Sequence, residues 1–113
     1  MKFSSSLKLN HIFRRLYHTS GQADSYLVLY ARKNRSAYNR VGITASEKLG
    51  HAVVRNRVRR RLREIYRLNA HKFKPGYDIV VVARSRSVGA PYQKLEAGFL
   101  NACGKLGLLE ERL

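Results

Sequence analysis

A chain of 113 residues with 23 Lys and Arg against 7 Asp and Glu carries a formal charge of +16, and that length holds one hydrophobic core but not two. Its 44% hydrophobic content lies above the disordered class, and its single cysteine, Cys103, excludes an internal disulfide. No apolar run reaches the length of a membrane-spanning helix, and the N-terminal MKFSSSLKLNHIFRRLYH lacks the apolar core of a signal peptide. The expectation is a cytoplasmic protein forming one domain over residues 1–113, with phosphate backbone rather than anionic membrane as its counter-charge.

Residues 1–6 read as a loose N-terminal arm. Asn10 then suits an N-cap, and Ile12, Phe13, Leu16 and Tyr17 follow at helical spacing up to a stop at Ser20-Gly21. Phe13 and Tyr17 share one side of this short helix, where rings either pack in a core or meet a ligand. The run Ser25 to Ala31, SYLVLYA, predicts a buried strand with Tyr26, Val28 and Tyr30 on one face. Such tyrosines are ordinary sheet residues, and beside basic groups they are also what single-stranded RNA stacks on. A short strand near Gly21 to Ala23 is a further candidate. ARKNRSAYN is a basic turn, and Arg40 to Ala45, RVGITA, is expected to be the antiparallel partner of the first long strand.

The next element dominates the chain. From Arg55 to Arg67, seven of thirteen residues are arginine. At 100° per residue, Val54, Val58, Leu62, Ile65 and Tyr66 form an apolar stripe, while Asn56, Arg57, Arg59, Arg60, Arg63 and Arg67 face outward with only Glu64 among them. A basic face can simply be solvated. The shortage of acids at i,i+4 favours contact with a polyanion instead. Arg55 falls inside the apolar arc, so it must snorkel or sit on a distorted first turn. The helix is expected to begin near Gly50 or His51 and to persist to His71 or beyond, ending before Pro75-Gly76.

Tyr77 to Arg84, YDIVVVAR, predicts a strand covered on both faces. Pro91 suits the first turn of a last amphipathic helix, reaching about Leu109, that carries Tyr92, Leu95, Phe99, Ala102, Cys103 and Leu106. Gly98, Gly104 and Gly107 weaken it. The order of elements predicts an α+β fold.

The four histidines, His11, His18, His51 and His71, lack the spacing of a metal site, Cys103 has no cysteine partner, and the acids form no close pair suited to divalent ions. No catalytic constellation of side chains emerges. A DNA-binding helix-turn-helix is disfavoured because no positioning helix precedes the arginine helix. A structural RNA-binding protein of ribosomal type would use the same helix without a cleft for a single strand.

The string VGITASEKLGHAVVRNRVRRRLREIYR, Val41 to Arg67, resembles the signature of the bacterial ribonuclease P protein component, with its RNR element at Arg55-Asn56-Arg57. DIVVVAR and LNHIFRRLYHTSG resemble the family's last strand and first helix, so the resemblance covers about residues 7–84. It implies a small mixed β-sheet packed with three helices, the ribosomal protein S5 domain 2-like fold, with a left-handed βαβ crossover. It also implies a subunit that assists 5′ maturation of tRNA, with ribonuclease P RNA and precursor tRNA as partners, and neither DNA nor membrane. Catalysis is expected on the RNA, with Mg²⁺ bound mainly by that RNA and none by the protein alone. The expected contacts to the catalytic RNA are Lys48, Arg55, Asn56, Arg57, Arg59, Arg60, Arg63 and Arg67. Phe13, Tyr17, Val28 and Tyr30 are expected to line a cleft for the 5′ leader. Glu47 and His51 stand where the family commonly has a basic residue and Asn or Lys.

Overall fold

Branched apolar side chains suit a strand buried on both sides, and the richest such run, β4 (Tyr77–Ala83), lies inside the sheet. The computed structural model describes residues 21–110. In it, β4 pairs antiparallel with β2 (Leu27–Lys33) and parallel with β3 (Arg40–Thr44), and the two-residue β1 (Gln22–Ala23) pairs antiparallel with β2. The strand order is β1-β2-β4-β3.

The expected hairpin between 25–31 and 40–45 does not form, because β4 lies between them. Neighbouring strands sit about 4.8 Å apart, so the step from β2 over β4 to β3 is about 10 Å, which residues 34–39 span easily. The exchange gives Ile79, Val80 and Val81 partners on both edges, and each is buried to within 1%. Parallel pairing requires a crossover between β3 and β4. Helix α1 (Ala52–Asn69) provides it, so the expected βαβ unit is present.

Alternation sorts the sheet into two faces. Leu27, Leu29, Val41, Ile79, Val81 and Ala83 meet Val58, Leu62, Ile65 and Tyr66 of α1 and Leu95, Phe99, Ala102 and Cys103 of α2 (Tyr92–Lys105) in one core. Cys103 is fully buried there, and desolvation pushes its thiol pKa upward. The opposite face carries three cross-strand rows: Val28, Val82 and Thr44; Tyr30, Val80 and Gly42; Arg32, Asp78 and Arg40. Two helices are thus described. The short helix expected around Phe13 and Tyr17, and the arm 1–6, lie outside the described residues.

Both helices end sooner than periodicity suggested. Helix α1 stops at Asn69, whose buried amide donates to the Ile65 carbonyl at 2.8 Å and to Glu96 of α2 at 2.9 Å, and a 3₁₀ turn, Ala70–Lys72, follows. Phe73 is buried beyond the helix, its ring 5.2 Å from Tyr66 and 5.9 Å from Phe99. Helix α2 stops at Lys105, and Leu108 then turns back into the core, accepting a hydrogen bond from the Lys74 amide at 2.8 Å. Gly98 is more than a weak helix residue. A β-carbon there would collide with the Asp24 carboxylate, which accepts the Tyr26 amide at 3.1 Å and shapes the turn into β2.

Candidate nucleic-acid interface

The apolar stripe of α1 fixes which side of the helix meets solvent. Val58, Leu62, Ile65 and Tyr66 are buried, which leaves Asn56, Arg57, Arg60, Arg63 and Arg67 exposed along the outer side. The helix carries no acid in its first turn, so its N-terminal half presents positive charge from side chains and helix dipole together. Val53, 81% exposed, lies one turn before Asn56 and Arg57 on this side.

Neighbouring side chains orient several of these groups. Arg59 is half-buried, and its Nη2 donates to Asn56 Oδ1 at 2.5 Å. Arg67 donates through Nη2 to Glu64 Oε1 at 2.5 Å and through Nε to Oε2 at 3.1 Å. Arg67 thereby holds the Glu64 carboxyl below its ordinary pKa. Both groups are largely exposed, so a phosphate can replace this carboxylate at little cost. Arg55 is half-buried, as its place in the apolar arc required, and its Nε is shielded from solvent without a hydrogen-bond partner. Arg61 points elsewhere, donating to the Ala90 carbonyl at 2.5 Å with its guanidinium 6.0 Å from the Tyr92 ring centre. It ties α1 to the start of α2.

Lys48 lies exposed in a 3₁₀ turn, Glu47–Leu49, at the entry to α1. The turn closes at Gly50, where φ is 138°, a conformation that disfavours a side chain, and the space a β-carbon would take is bordered by Val54 at 3.3 Å. Glu47 and His51 are exposed, and His51 is the N-cap residue without a side-chain capping bond.

On the sheet face opposite the helices, Val28 and Tyr30 are half-buried. The Tyr30 ring lies against Gly21, so closely that a β-carbon on Gly21 would come within 2.6 Å of it. Tyr26 precedes β2 and packs against the core. Of the four expected cleft residues the structure therefore brings Val28 and Tyr30 together, while Phe13 and Tyr17 lie outside the described residues. The row beyond Tyr30 was not anticipated. Asp78 accepts two hydrogen bonds from Arg40 and one from Asn34 there. Its only trace in the sequence is one acid within an apolar strand.

Among the described residues no three His, Cys, Asp or Glu side chains gather to hold a metal ion. No described helix is long and apolar enough to cross a membrane.

Comparison with known proteins bears on the same features. The family model described as Ribonuclease P matches residues 1–107. The ribonuclease P protein component of Alkaliphilus oremlandii is 42% identical over 110 residues, covering 96% of each chain. That of Clostridioides difficile is 47% identical over 100 residues, covering 87% of this chain and 88% of its own. Among solved structures, the RNase P protein of Staphylococcus aureus superposes with a TM-score of 0.81 at 27% identity, covering 91% of this chain and 95% of that one. The RNase P protein of Thermotoga maritima gives 0.75 at 30% identity, covering 83% and 90%.

Proposed function

The chain belongs to the ribonuclease P protein family, and on that premise we propose that its α1 surface seats the ribonuclease P RNA while the sheet face bearing Val28 and Tyr30 receives the 5′ leader of precursor tRNA. As the protein component of ribonuclease P it serves 5′ maturation of tRNA. The observation that carries the α1 assignment is the division of that helix into a buried stripe and an outer row of guanidinium groups. Guanidinium forks match phosphate oxygens in pairs and stay charged at every physiological pH. Rigid attachment through Val58, Leu62 and Ile65 gives them a fixed spacing, so they favour one RNA surface rather than any anion.

The endonucleolytic cut falls to the RNA, with Mg²⁺ bound mainly by the RNA subunit. Side chains of this chain bind and orient: cations on α1 hold RNA, and Tyr30 with Val28 offers an apolar face to unpaired bases. The compartment assigned is the cytoplasm, where transcripts and RNA subunit meet. Reconstitution with ribonuclease P RNA on precursor tRNA at low Mg²⁺ tests the assignment. The protein should restore 5′ cleavage that the RNA alone performs poorly under those conditions. Cleavage no faster with protein than without it would refute the reading.

A further inference from the structure

A second concave basic surface lies far from the exposed arginines at the start of α1. The turn after β2 and the connection from α1 to β4 border an open cavity of about 410 Å³ lined by Lys33, Arg35, Ser36, Lys74, Gly76 and Tyr77, among others. Strand β2 ends where β4 begins, so the cavity sits at the sheet end near the C-terminus of α1. That helix has 18 residues and is therefore about 27 Å long.

The walls are held in place. The Asn34 amide nitrogen donates to the Tyr38 carbonyl and to Asp78 Oδ1, each at 3.0 Å, while its oxygen accepts the Ser36 amide at 2.8 Å. Buried Asn39 donates to the Lys74 carbonyl at 3.0 Å and accepts the Tyr77 amide at 2.8 Å. Asn34 and Gly76 join the two segments backbone to backbone at 2.9 Å. Gly76, with φ of 87°, passes so near Ser36 that a β-carbon would lie 2.8 Å from its carbonyl oxygen. The close approach of the two segments thus depends on glycine.

The charges on this frame are unspent. Lys33, Arg35 and Lys74 form no ion pair with any described residue. The adjoining acid, Asp78, is already gripped by Arg40 at 2.7 Å. Arg35 also stands at φ 63°, a left-handed conformation that Gly or Asn adopts more easily. A long cation is held out from the turn at a conformational cost, and strain of this kind gathers at ligand clamps. Tyr38, on the same turn, is 59% exposed.

We propose that this cavity is a second phosphodiester-binding site, in which Lys33, Arg35 and Lys74 hold a segment of the RNA partner separate from the one on α1. The proposal rests on the reading of that partner as ribonuclease P RNA. Its test compares two charge-matched variants of the full chain binding ribonuclease P RNA across a range of salt. Lys33→Gln/Arg35→Asn/Lys74→Gln should flatten the slope of log affinity against log salt by about 2 to 3, the release expected from three phosphates. Arg86→Gln/Lys94→Gln/Lys105→Gln removes the same charge from exposed positions elsewhere and should change it by less than about 0.5. Equal slopes for the two variants, with steep salt dependence in the wild type, would overturn the second site and leave the α1 interface standing. Salt-independent binding by the wild type itself would remove both. Asn suits the left-handed position, so Arg35→Asn alone keeps the turn should the triple variant melt early. It should then flatten the slope by about 0.7 to 0.9, and no change would overturn the proposal.

Discussion

Arg40 grips Asp78 with two parallel charge-assisted hydrogen bonds, Nε to Oδ1 and Nη2 to Oδ2, each 2.7 Å. The pair bridges β3 and β4 at directly opposed positions, and hydrogen bonding to the Asp78 carboxylate raises the Arg40 pKa. Asp78 is 10% exposed and Arg40 is 40% exposed, so losing the arginine strands a carboxylate that water barely reaches. Arg40→Ala should destabilise the fold by roughly 1 to 3 kcal/mol, below the value for a fully buried pair because Arg40 is partly solvated. Urea unfolding measures this, and a change under about 0.3 kcal/mol would show that Asn34 alone satisfies the carboxylate.

Tyr66 makes alkaline stability a second test. Desolvation pushes its phenol up to about 12, although a hydrogen bond with the Asn39 side chain pulls the other way. In the unfolded chain the group titrates near 10. Stability from this difference is complete below about pH 10 and is lost as pH rises to about 12, because the unfolded state releases its proton first. The loss amounts to roughly 2 to 3 kcal/mol. Tyr66→Phe removes the proton, so its stability should fall less steeply than the wild type's over that window. Parallel curves would place the Tyr66 hydroxyl in contact with water.

The outer side of α1 carries a third. Arg57→Ala and Arg60→Ala should each leave the circular dichroism spectrum intact and flatten the salt dependence of RNA binding by about one unit. Val58→Asp, placing a charge at a site 3% exposed, should unfold the domain. If about six to ten phosphates are engaged, wild-type affinity should fall by roughly three to five decades between about 50 and 200 mM salt. Unfolding by Arg60→Ala would mean that its side chain supports the core.

The helix was readable because one stripe had to be buried and one side could not be. The periodicity of Val58, Leu62 and Ile65 is local, as is the apolar run that became β4. Strand order was not local. Nothing between Ala31 and Arg40 says that the chain will step over a strand that has not yet appeared, so the neighbouring strands were paired with each other. Helix ends were misjudged for a related reason: Asn69 and Leu108 take their roles from contacts across the fold, to Glu96 and to Lys74. The basic turn after β2 was visible as composition. Its partner wall, Lys74 to Tyr77, lies about forty residues on, and only the fold joins them.

Tyr30 decides whether the sheet face grips leader or merely completes the sheet. It is half-buried, pairs across the strands with Val80, and has its ring against Gly21. On the stacking reading, an unpaired leader base contributes on the order of 1 to 3 kcal/mol against such a ring. Tyr30→Leu keeps apolar bulk on the face and removes the aromatic surface, so precursor tRNA should bind the holoenzyme roughly tenfold more weakly. Mature tRNA has no 5′ leader and should bind both holoenzymes alike. Gly21→Ala should move the same way to a lesser degree, since the added methyl displaces the ring without deleting it. Cleavage of saturating precursor at high Mg²⁺ should change little if the cut belongs to the RNA, because the lost contact is made equally in ground and transition states. If Tyr30 serves only the sheet, its replacement lowers the melting temperature and weakens both RNAs together, so precursor and mature tRNA affinities measured beside thermal stability separate the two roles.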